Sequence, residues 1–378
     1  MKLLFFSTVH PSPAVRTRGT FNLRLLESLR AIGHDVRALV PVPWHEAPAL
    51  PSRDGANVEY CRFWFPPRVV PGLLHKFLGW SVRKRFRSMT RDWHPDFVVG
   101  YWTHPDGTVA LELARSLGVP GILIVGGTDI NERAFDRSRQ RVIRETLRRA
   151  DAVFAVGPDL ATKVRALGVP AGRVRVLERG VDREVFHPGP KAEARARLGL
   201  PESERMLLWI GRMVPVKGLD VLLAALAKVP RESRPVLYLV GGGSEENRLR
   251  SLAEELVLTD HVHWVGPTPH AALGDWYRAA DLVVLPSRSE GVPNVLLEAL
   301  ACGTPFVASD VGGIGSIASS RDWLVPPEDP EVLAGAISRS LELSPTINVQ
   351  SLDEKDAARR FADALVDTVV DTENSPIV

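Results

Sequence analysis

Short apolar runs alternate with longer amphipathic stretches along both halves of the chain. In the first half, apolar runs of strand length occupy residues 2–7, 34–40, 95–100, 119–125 and 152–156. The stretches between them have helical spacing, as in residues 20–31, which end just before Gly33. Strands that alternate with helices are typical of a parallel sheet covered on both faces. The first half therefore predicts a doubly wound α/β domain, with a mononucleotide-binding type of start but no G-x-G-x-x-G signature.

The second half repeats this alternation, and its strand-length runs end in glycine-rich turns. Residues 206–210 lead into Gly211 and Arg212, then into Lys217 and Gly218, and a helical pattern follows over 219–228. A second run, 235–240, ends in three glycines that include Gly242. Ligands of parallel sheets bind beyond the carboxyl ends of the strands, where helix N-termini attract phosphate. One such turn indicates little, but successive units of this kind predict a nucleotide site with Arg212 and Lys217 as counter-charges to a diphosphate.

Residues 287–305 place two carboxylates next to that predicted site. They follow the apolar run 281–285, and Pro293 suits the first helical position while Gly303 suits the residue past the helix end. Glu290 then lies in the loop and Glu298 in the second helical turn. Residues four apart share a helix face, so Asn294 is expected beside Glu298, with residues 297, 300 and 301 toward the core. Either carboxylate could equally serve only as a helix cap or dipole partner.

Taken together, these motifs resemble the retaining nucleotide-sugar glycosyltransferases of family 4, which have the GT-B fold of two Rossmann-like doubly wound domains facing across a cleft. In that family a G-R-x-x-x-x-K-G turn binds the donor phosphates, and it is similar to residues 211–218 here. The family's E-x7-E motif, followed by A-x-A-x-G-x-P, is similar to residues 290–305. The resemblance implies hexosyl transfer from a nucleoside-diphosphate sugar to an acceptor hydroxyl, with retention, no cofactor and no metal ion.

The resemblance also implies roles for individual donor-side residues. Glu290 would face the donor sugar hydroxyls and Glu298 the ribose hydroxyls. The loop backbone at Gly291 and Val292, and the helix start at Pro293 and Asn294, would lie against the sugar and phosphates. The nucleobase is expected near backbone at Val265 and the Gly242 loop.

Three stretches of the first half resemble family segments that face the cleft between the domains. They contain Gly19, expected to contribute to donor binding, and the acceptor-side candidates His104 and Asp129. An imidazole can exchange protons near neutral pH, although a buried or capping role for His104 is equally open. Two positions depart from the pattern: Gly126 stands where an arginine is common, and Arg179 stands where an asparagine is common. A cation expected on the acceptor side is therefore missing at position 126.

The expected domains are 1–185 on the acceptor side, 186–352 on the donor side, and 353–378 as a final helix that packs back on the first domain and ends in a frayed tail. Residues 186–190 contain two prolines and a glycine, which break regular structure there. The final helix has apolar residues at helical spacing, which are Ala357, Phe361, Leu365 and Val369.

Charge is divided unequally between these domains. Residues 1–185 contain 29 Lys and Arg and 18 Asp and Glu, which gives a net charge of +11. The remaining residues contain 18 Lys and Arg and 27 Asp and Glu, which gives −9 and a total of +2. Within residues 73–93, aromatic and aliphatic side chains interleave with cations such as Arg83, Lys84, Arg85 and Arg87. Such a helix can lie on an anionic membrane surface, or it can simply cover a sheet with its basic face in solvent. No nucleic-acid module accompanies the charge, so a nucleic-acid partner is not expected.

Composition limits the possible class and location of the protein. The 378 residues, 45% hydrophobic and 24% charged, exceed one ordinary domain and have ample apolar content for a core. The two cysteines, Cys61 and Cys302, lack metal-ligand spacing, and no apolar stretch approaches bilayer-spanning length. We therefore expect a cytoplasmic protein, peripheral at most on the inner face of the membrane. The family resemblance implies an enzyme that acts on a glycan or lipid-linked acceptor in cell-surface polysaccharide or glycolipid synthesis. The alternatives are a soluble small-sugar transferase or phosphorylase, and a non-catalytic nucleotide-sugar-binding protein.

Overall fold

Two parallel sheets, each with its own buried core, organise the chain. The computed structural model describes residues 1–16, 18–46, 50–51, 53–55, 57–66, 68–131, 133–318, 323–343 and 352–373. One unit consists of Met1–Arg179 together with the chain from Glu354 onward, and the second consists of Gly180–Asp353. The expected frayed tail, residues 374–378, lies outside the described residues.

The strands in chain order are β1 (Lys2–Phe6), β2 (Asp35–Pro43), β3 (Arg53–Asp54), β4 (Val58–Phe63), β5 (Phe97–Tyr101), β6 (Gly121–Val125), β7 (Ala152–Ala155), β8 (Val174–Val176), β9 (Met206–Arg212), β10 (Val236–Gly242), β11 (Val262–Gly266), β12 (Leu282–Leu285), β13 (Phe306–Ser309) and β14 (Trp323–Val325).

The helices in chain order are α1 (Thr20–Ala31), α2 (Leu74–Thr90), α3 (Thr108–Leu117), α4 (Thr128–Asn131), α5 (Gln140–Arg149), α6 (Pro158–Ala166), α7 (Lys191–Leu198), α8 (Leu219–Lys228), α9 (Glu246–Glu255), α10 (His270–Ala279), α11 (Asn294–Ala301), α12 (Pro330–Leu343) and α13 (Glu354–Glu373).

The first unit has eight described strands in the order β3-β4-β2-β1-β5-β6-β7-β8. Every pairing in it is parallel except that of the two-residue strand β3 with β4. The prediction of a doubly wound parallel sheet is therefore confirmed, with a short antiparallel addition at one edge. Sheet order reverses at β1, whose neighbours are β2 and β5, so the carboxyl end of β1 is a topological switch point.

The last helix, α13, contributes to the core of the first unit. Phe361 lies edge-on to Phe154 of β7 with ring centroids 4.8 Å apart, and Leu365 is fully buried in the same cluster. The guanidinium of Arg24 on α1 also pairs with Glu354 at 3.0 Å. These contacts assign α13 to the same unit as α1 and β7.

The second unit has six described strands, all parallel, in the order β11-β10-β9-β12-β13-β14. Its switch point lies between β9 and β12, so the loops that follow these two strands meet at the carboxyl edge of the sheet. The unit begins at Gly180, six residues before the expected boundary at 186. The reason is packing, because Val181 forms a parallel bridge with Asp353 and Phe186 is buried in the core of this unit.

No helix in the part of the chain that the structure describes combines the length and the apolar character needed to cross a bilayer.

Candidate functional site

The turn between β9 and α8 lies against the end of β12. Gly218 has a left-handed backbone with φ of 63°, and a Cβ atom there would lie 2.0 Å from the carbonyl oxygen of Pro286. Only glycine permits this approach without a backbone shift. The turn Pro215–Lys217 is thereby brought next to the loop that carries Glu290.

Lys217 and Glu290 form an ion pair at this switch point. The Lys217 ammonium lies 2.5 Å from Oε1 of Glu290, and the hydroxyl of Ser287 donates to the same oxygen at 2.7 Å. The side chains retain 23% and 10% of their exposure, respectively. Within the described residues, Oε2 of Glu290 accepts no hydrogen bond. One carboxylate oxygen thus fixes the cation while the other is available to a ligand.

Arg288 ties the two loops of this pair together. Its backbone N–H donates to the carbonyl of Val216 at 2.8 Å. Its guanidinium makes a two-point contact with Asp220 at 2.9 and 3.0 Å and donates to the Pro215 carbonyl at 2.5 Å. Hydrogen bonds from Arg288 to Asp220 and Glu328 raise the pKa of the guanidinium. Sequence reasoning missed Arg288, because Pro215, Val216 and Asp220 lie about seventy positions earlier in the chain and Glu328 lies 40 positions later.

Arg212, the last residue of β9, is the second cation at this edge. It is exposed, and none of the described residues accepts a hydrogen bond from its side chain. Its register partner on β10 is Gly242, whose carbonyl accepts a hydrogen bond from Met213 N–H at 2.9 Å. The structure therefore brings Arg212, Lys217 and the Gly242 loop to one edge of the sheet, where the sequence predicted them.

Helix α11 begins at Asn294, so Pro293 is its flanking residue, not its first residue as expected. Pro293 has ψ of 121°, which is extended backbone that does not belong to the helix. Glu298 is buried in the second helical turn and accepts a hydrogen bond from the hydroxyl of Tyr277 at 2.7 Å. The sequence offered only one signal for Tyr277, namely that a buried tyrosine needs a partner for its hydroxyl.

A second loop supports the segment that contains Gly291 and Val292. The N–H of Gly313 donates to the carbonyl of Gly291 at 2.9 Å. A Cβ atom on Gly312, which has φ of 59°, would lie 1.9 Å from the carbonyl of Glu290. Residues 312–313 therefore hold the backbone before α11 in place, and sequence reasoning did not identify them.

Val265 lies at a register shift between β10 and β11. Leu239 pairs with Trp264 and Val240 pairs with Gly266, which leaves Val265 without a register partner on β10. A bulged residue of this kind is left out of the ladder, and here it lies next to the carboxyl end of the strand.

In the first unit, Asp106 closes the switch point after β1. It is fully buried and accepts hydrogen bonds from the Thr8 N–H at 2.7 Å and the Ser7 hydroxyl at 3.0 Å. Burial raises the pKa of Asp106 to about 6, although the hydrogen bonds from Thr8 and Ser7 oppose that rise. Asp106 belongs to the stretch that contains His104, but the sequence analysis assigned it no role.

The two candidate acceptor-side residues are both about 1% exposed. Asp129 accepts hydrogen bonds from the N–H groups of Thr103, Gly126 and Gly127 at 3.0–3.1 Å, so it joins the ends of β5 and β6. Burial raises the pKa of Asp129. Nε2 of His104 lies 3.2 Å from Nδ1 of His75 on α2, a contact that the sequence did not predict. Burial, with the charges of His75 and Arg139, lowers the pKa of His104 to about 3, so it is a neutral imidazole at pH 7.

Packing explains the departure at Gly126. A Cβ atom there would lie 2.2 Å from the hydroxyl oxygen of Tyr101, so a side chain at this position would require the buried Tyr101 ring to shift. Two other cations of the unit lie over aromatic rings nearby in the fold: Arg133 is 4.2 Å from the Trp102 ring centroid, and Arg179 is 4.9 Å from that of Phe21. Gly19 precedes α1 with φ of 64°, and a Cβ atom on it would lie 2.3 Å from the Val9 carbonyl.

Among the described residues, no group of three or more His, Cys, Asp or Glu side chains has an arrangement that could hold a metal ion.

Comparisons with known proteins identify the same two units. The family described as "Glycosyl transferases group 1" matches residues 190–356, and the "Glycosyl transferase 4-like domain" matches residues 19–180. The Bacillus subtilis protein named "Putative teichuronic acid biosynthesis glycosyltransferase TuaC" is 30% identical over 358 residues, which cover 90% of this chain and 89% of TuaC. D-inositol 3-phosphate glycosyltransferase 1 of Catenulispora acidiphila is 34% identical over 327 residues, covering 77% and 75% of the two chains.

A solved structure agrees with the fold. Sucrose-phosphate synthase of Thermosynechococcus elongatus superposes with a TM-score of 0.76 at 24% identity, covering 98% of each chain. The family matches and the near full-length similarity to TuaC show that this chain belongs to the glycosyltransferases of the group 1 and 4-like families, with the GT-B fold.

Proposed function

We propose that this glycosyltransferase transfers a sugar from a nucleoside-diphosphate sugar to an acceptor hydroxyl, with retention of configuration and without a metal ion or cofactor. The observation that carries the proposal is the ion pair of Lys217 and Glu290, with 2.5 Å between Nζ and Oε1, at the switch point of the second unit. That pair puts a cation suited to a diphosphate beside a carboxylate suited to sugar hydroxyls.

Leaving-group stabilisation is the role assigned to the two cations. As the glycosidic bond breaks, negative charge grows on the departing diphosphate oxygen. Lys217, fixed by Glu290, and Arg212, at the end of β9, interact more strongly with that charge in the transition state than in the ground state. The N-terminus of α8 follows directly after Gly218 and adds backbone N–H donors. Fixed cations and N–H groups thus do the work that a metal ion does in other transferases.

Sugar and nucleoside recognition are assigned to the carboxylates and the loop backbone. Oε2 of Glu290 accepts from donor sugar hydroxyls, because Oε1 is occupied by Lys217 and Ser287. Glu298, oriented by Tyr277, accepts from ribose hydroxyls. The backbone of residues 291–294 lies along the sugar and phosphates. The nucleobase contacts the bulged backbone at Val265 and the Gly242 loop.

On the acceptor side, His104 and Asp129 have different roles. His104 is neutral at pH 7 and its Nε2 contacts His75, so the ring nitrogen left to accept a hydrogen bond from an acceptor hydroxyl is Nδ1, which has no partner among the described residues. Asp129 fixes the backbone at Thr103 and at Gly126 and Gly127, which positions His104 indirectly. Gly19 permits the close approach of the loop before α1.

The proposed acceptor is a cell-surface glycan or a lipid-linked sugar, reached from an anionic membrane surface. The similarity to TuaC, whose name refers to teichuronic acid biosynthesis, supports a polysaccharide acceptor. Helix α2 supports the membrane, because Trp80 is 69% exposed and Lys76, Arg83, Lys84 and Arg87 are exposed beside it. A small soluble acceptor is the second candidate, favoured by the 34% identity to the D-inositol 3-phosphate glycosyltransferase.

A turnover assay tests this proposal. The purified enzyme is given nucleoside-diphosphate sugars with either D-inositol 3-phosphate or a lipid-linked oligosaccharide in vesicles, with and without EDTA. We expect transfer that EDTA does not reduce, and a product whose anomeric configuration by proton NMR matches the donor. An inverted product would refute retention, and loss of transfer in EDTA would refute metal independence. Donor binding without transfer to any acceptor would instead indicate a non-catalytic binding protein.

A further inference from the structure

A cavity of about 340 Å³ lies at the opposite edge of the second sheet. Among its lining residues, Arg205 directly precedes β9, Asp281 directly precedes β12 and Pro305 directly precedes β13. Since all these strands are parallel, the cavity lies at their amino ends, whereas Lys217 and Glu290 lie at the carboxyl edge. The cavity is therefore separate from the proposed donor site.

The lining of this cavity has an excess of positive charge. Lys191, Arg205 and Arg278 line it together with one carboxylate, Asp281. That carboxylate is already occupied, because it accepts from Lys191 at 2.5 Å, from Arg195 at 2.9 Å and from the backbone N–H of Met206 at 2.7 Å. Burial raises the pKa of the Cys302 thiol to about 12, so this lining side chain adds no negative charge at pH 7.

Helix ends account for part of this charge but not for all of it. Arg278 is in the last turn of α10, where a cation is favourable; it pairs with Asp275 at 2.7 Å and donates to the carbonyls of Val185 and His187. Arg205 is on no helix, and no acceptor for its side chain occurs in the described part of the chain. The side chain of Arg205 therefore takes no part in the hydrogen bonding that holds the unit together.

Two buried donors at the cavity also lack partners. Ser340 is 2% exposed, and its hydroxyl has no hydrogen-bond partner among the described residues. The same holds for Nε of Arg278. Neither atom is accessible to solvent, so both lie behind the surface of the cavity, where they leave its wall rich in donors and poor in acceptors, which favours an anion. The cavity also borders the first residue of α7, where backbone N–H groups favour an anion.

We propose that this cavity binds a small phosphomonoester. Guanidinium groups match the geometry of phosphate oxygens, and an ammonium adds charge without geometric demand. A volume of about 340 Å³ is at the lower end of the range for small-molecule sites and exceeds what a bare phosphate needs. The proposal does not depend on the assignment of the donor site, because it uses none of that site's residues.

Calorimetric titration with ribose 5-phosphate, inorganic phosphate and ribose tests the proposal. The wild type is compared with Arg205→Gln, with Lys217→Ala, and with the matched control Arg231→Gln, an exposed arginine of the same unit outside the cavity. Arg205 makes no contact that folding requires, so its variant should remain folded, as checked by cooperative thermal unfolding. A second titration with excess nucleoside diphosphate blocks the donor site without any mutation.

We expect ribose 5-phosphate to bind more tightly than phosphate, and ribose not to bind. Affinity should fall at least tenfold in Arg205→Gln and stay within twofold in Lys217→Ala, in Arg231→Gln and under nucleoside diphosphate. Absence of binding by the wild type would overturn the proposal. Binding that survives in Arg205→Gln but disappears in Lys217→Ala would also overturn it, because the phosphate would then occupy the donor site.

Discussion

At the residue scale, the ion pair of Lys217 and Glu290 is arranged for a ligand more than for stability. Both side chains are partly exposed, and pairs of this kind contribute about 0–1 kcal/mol to folding. One carboxylate oxygen serves Lys217 and Ser287 and the other accepts nothing from the described residues. Removing the negative charge should therefore affect catalysis far more than folding.

The substitution Glu290→Gln keeps the shape of the side chain and removes its charge. We expect the transfer rate to fall by about 100-fold or more, because Lys217 loses its anchor and the sugar loses a charged acceptor. The free energy of unfolding should change by less than about 1 kcal/mol. Single-turnover kinetics and urea unfolding measure the two effects. Glu331→Gln, which breaks the exposed pair with Lys228, is the matched control and should change neither. A Glu290→Gln enzyme with nearly wild-type transfer would contradict this account.

Asp106 predicts a pH dependence of stability. Its pKa is raised to about 6 in the folded chain, so between about pH 4 and 6 the folded chain holds a proton that the unfolded chain has released. Its contribution to stability is therefore fully present below about pH 4, decreases as pH rises toward 6, and changes little above that. The free energy of unfolding should decrease by about 3 kcal/mol over this pH range.

Urea unfolding of wild type and Asp106→Asn from pH 4.5 to 7 measures this effect. The stability of the wild type relative to the variant should decrease across the window and level off above pH 6. A difference that is constant with pH would show that Asp106 has no raised pKa.

At the element scale, Arg288 acts as a positioning residue for the turn Pro215–Lys217. It contacts the Pro215 carbonyl and Asp220 with its side chain and the Val216 carbonyl with its backbone. The substitution Arg288→Ala should release the turn and weaken nucleoside-diphosphate binding about tenfold, which corresponds to about 1.4 kcal/mol. Arg248→Ala is the matched control, since Arg248 lies 4.0 Å from the same Asp220.

Titration calorimetry on both variants provides the measurement. Arg248→Ala should bind as the wild type does. If Arg288→Ala also bound normally, the turn would be held by its own backbone and Gly218 alone.

Helix α2 predicts binding to anionic vesicles. Arg83, Lys84 and Arg87 are exposed, whereas Arg85 is half-buried and lies 3.5 Å from buried Glu59, so it belongs to the internal packing. Replacing the three exposed cations with glutamine should lower the affinity for phosphatidylglycerol vesicles, measured by co-sedimentation, about 100-fold, since each cation contributes about 1 kcal/mol to binding. Binding by the wild type should weaken at high salt.

The matched control removes three exposed cations from α5 of the same unit, by substitution of Arg141, Arg144 and Arg149 with glutamine. We expect this control to keep its vesicle affinity. Equal losses in both triple variants would show a dependence on net charge and not on α2, and wild-type binding to neutral vesicles would exclude an electrostatic site.

At the scale of the whole molecule, the interior strands could be predicted and the marginal ones could not. The predicted strands correspond to β1, β2, β5, β6 and β7 and to β9, β10 and β12, which have long apolar runs. Strands β4, β8, β11 and β14 lie toward the sheet edges; the first three interrupt their apolar residues with charged or polar ones, and β14 is only three residues long. Such strands lack the continuous apolar run that marks a strand buried on both faces.

The candidate site also contains some residues that could be predicted from the sequence and others that could not. Lys217 and Glu290 could be predicted because each belongs to a local motif at a strand end, and sheet order then brings the motifs together. Arg288, Tyr277 and His75 act through partners far away in sequence, at Asp220, Glu298 and His104. Local spacing has no information on such contacts, so these supporting residues became visible only in the fold.

The central claim is that the carboxyl edge of the second unit holds a nucleoside diphosphate through Lys217. Titration calorimetry of the whole chain against UDP, GDP, ADP and TDP in EDTA tests it most directly, with Lys217→Ala beside the matched control Lys228→Ala, whose lysine pairs with exposed Glu331. We predict binding of at least one diphosphate that is weakened at least tenfold in Lys217→Ala and unchanged in Lys228→Ala. Equal binding by all three proteins, or no binding by the wild type, would contradict the account.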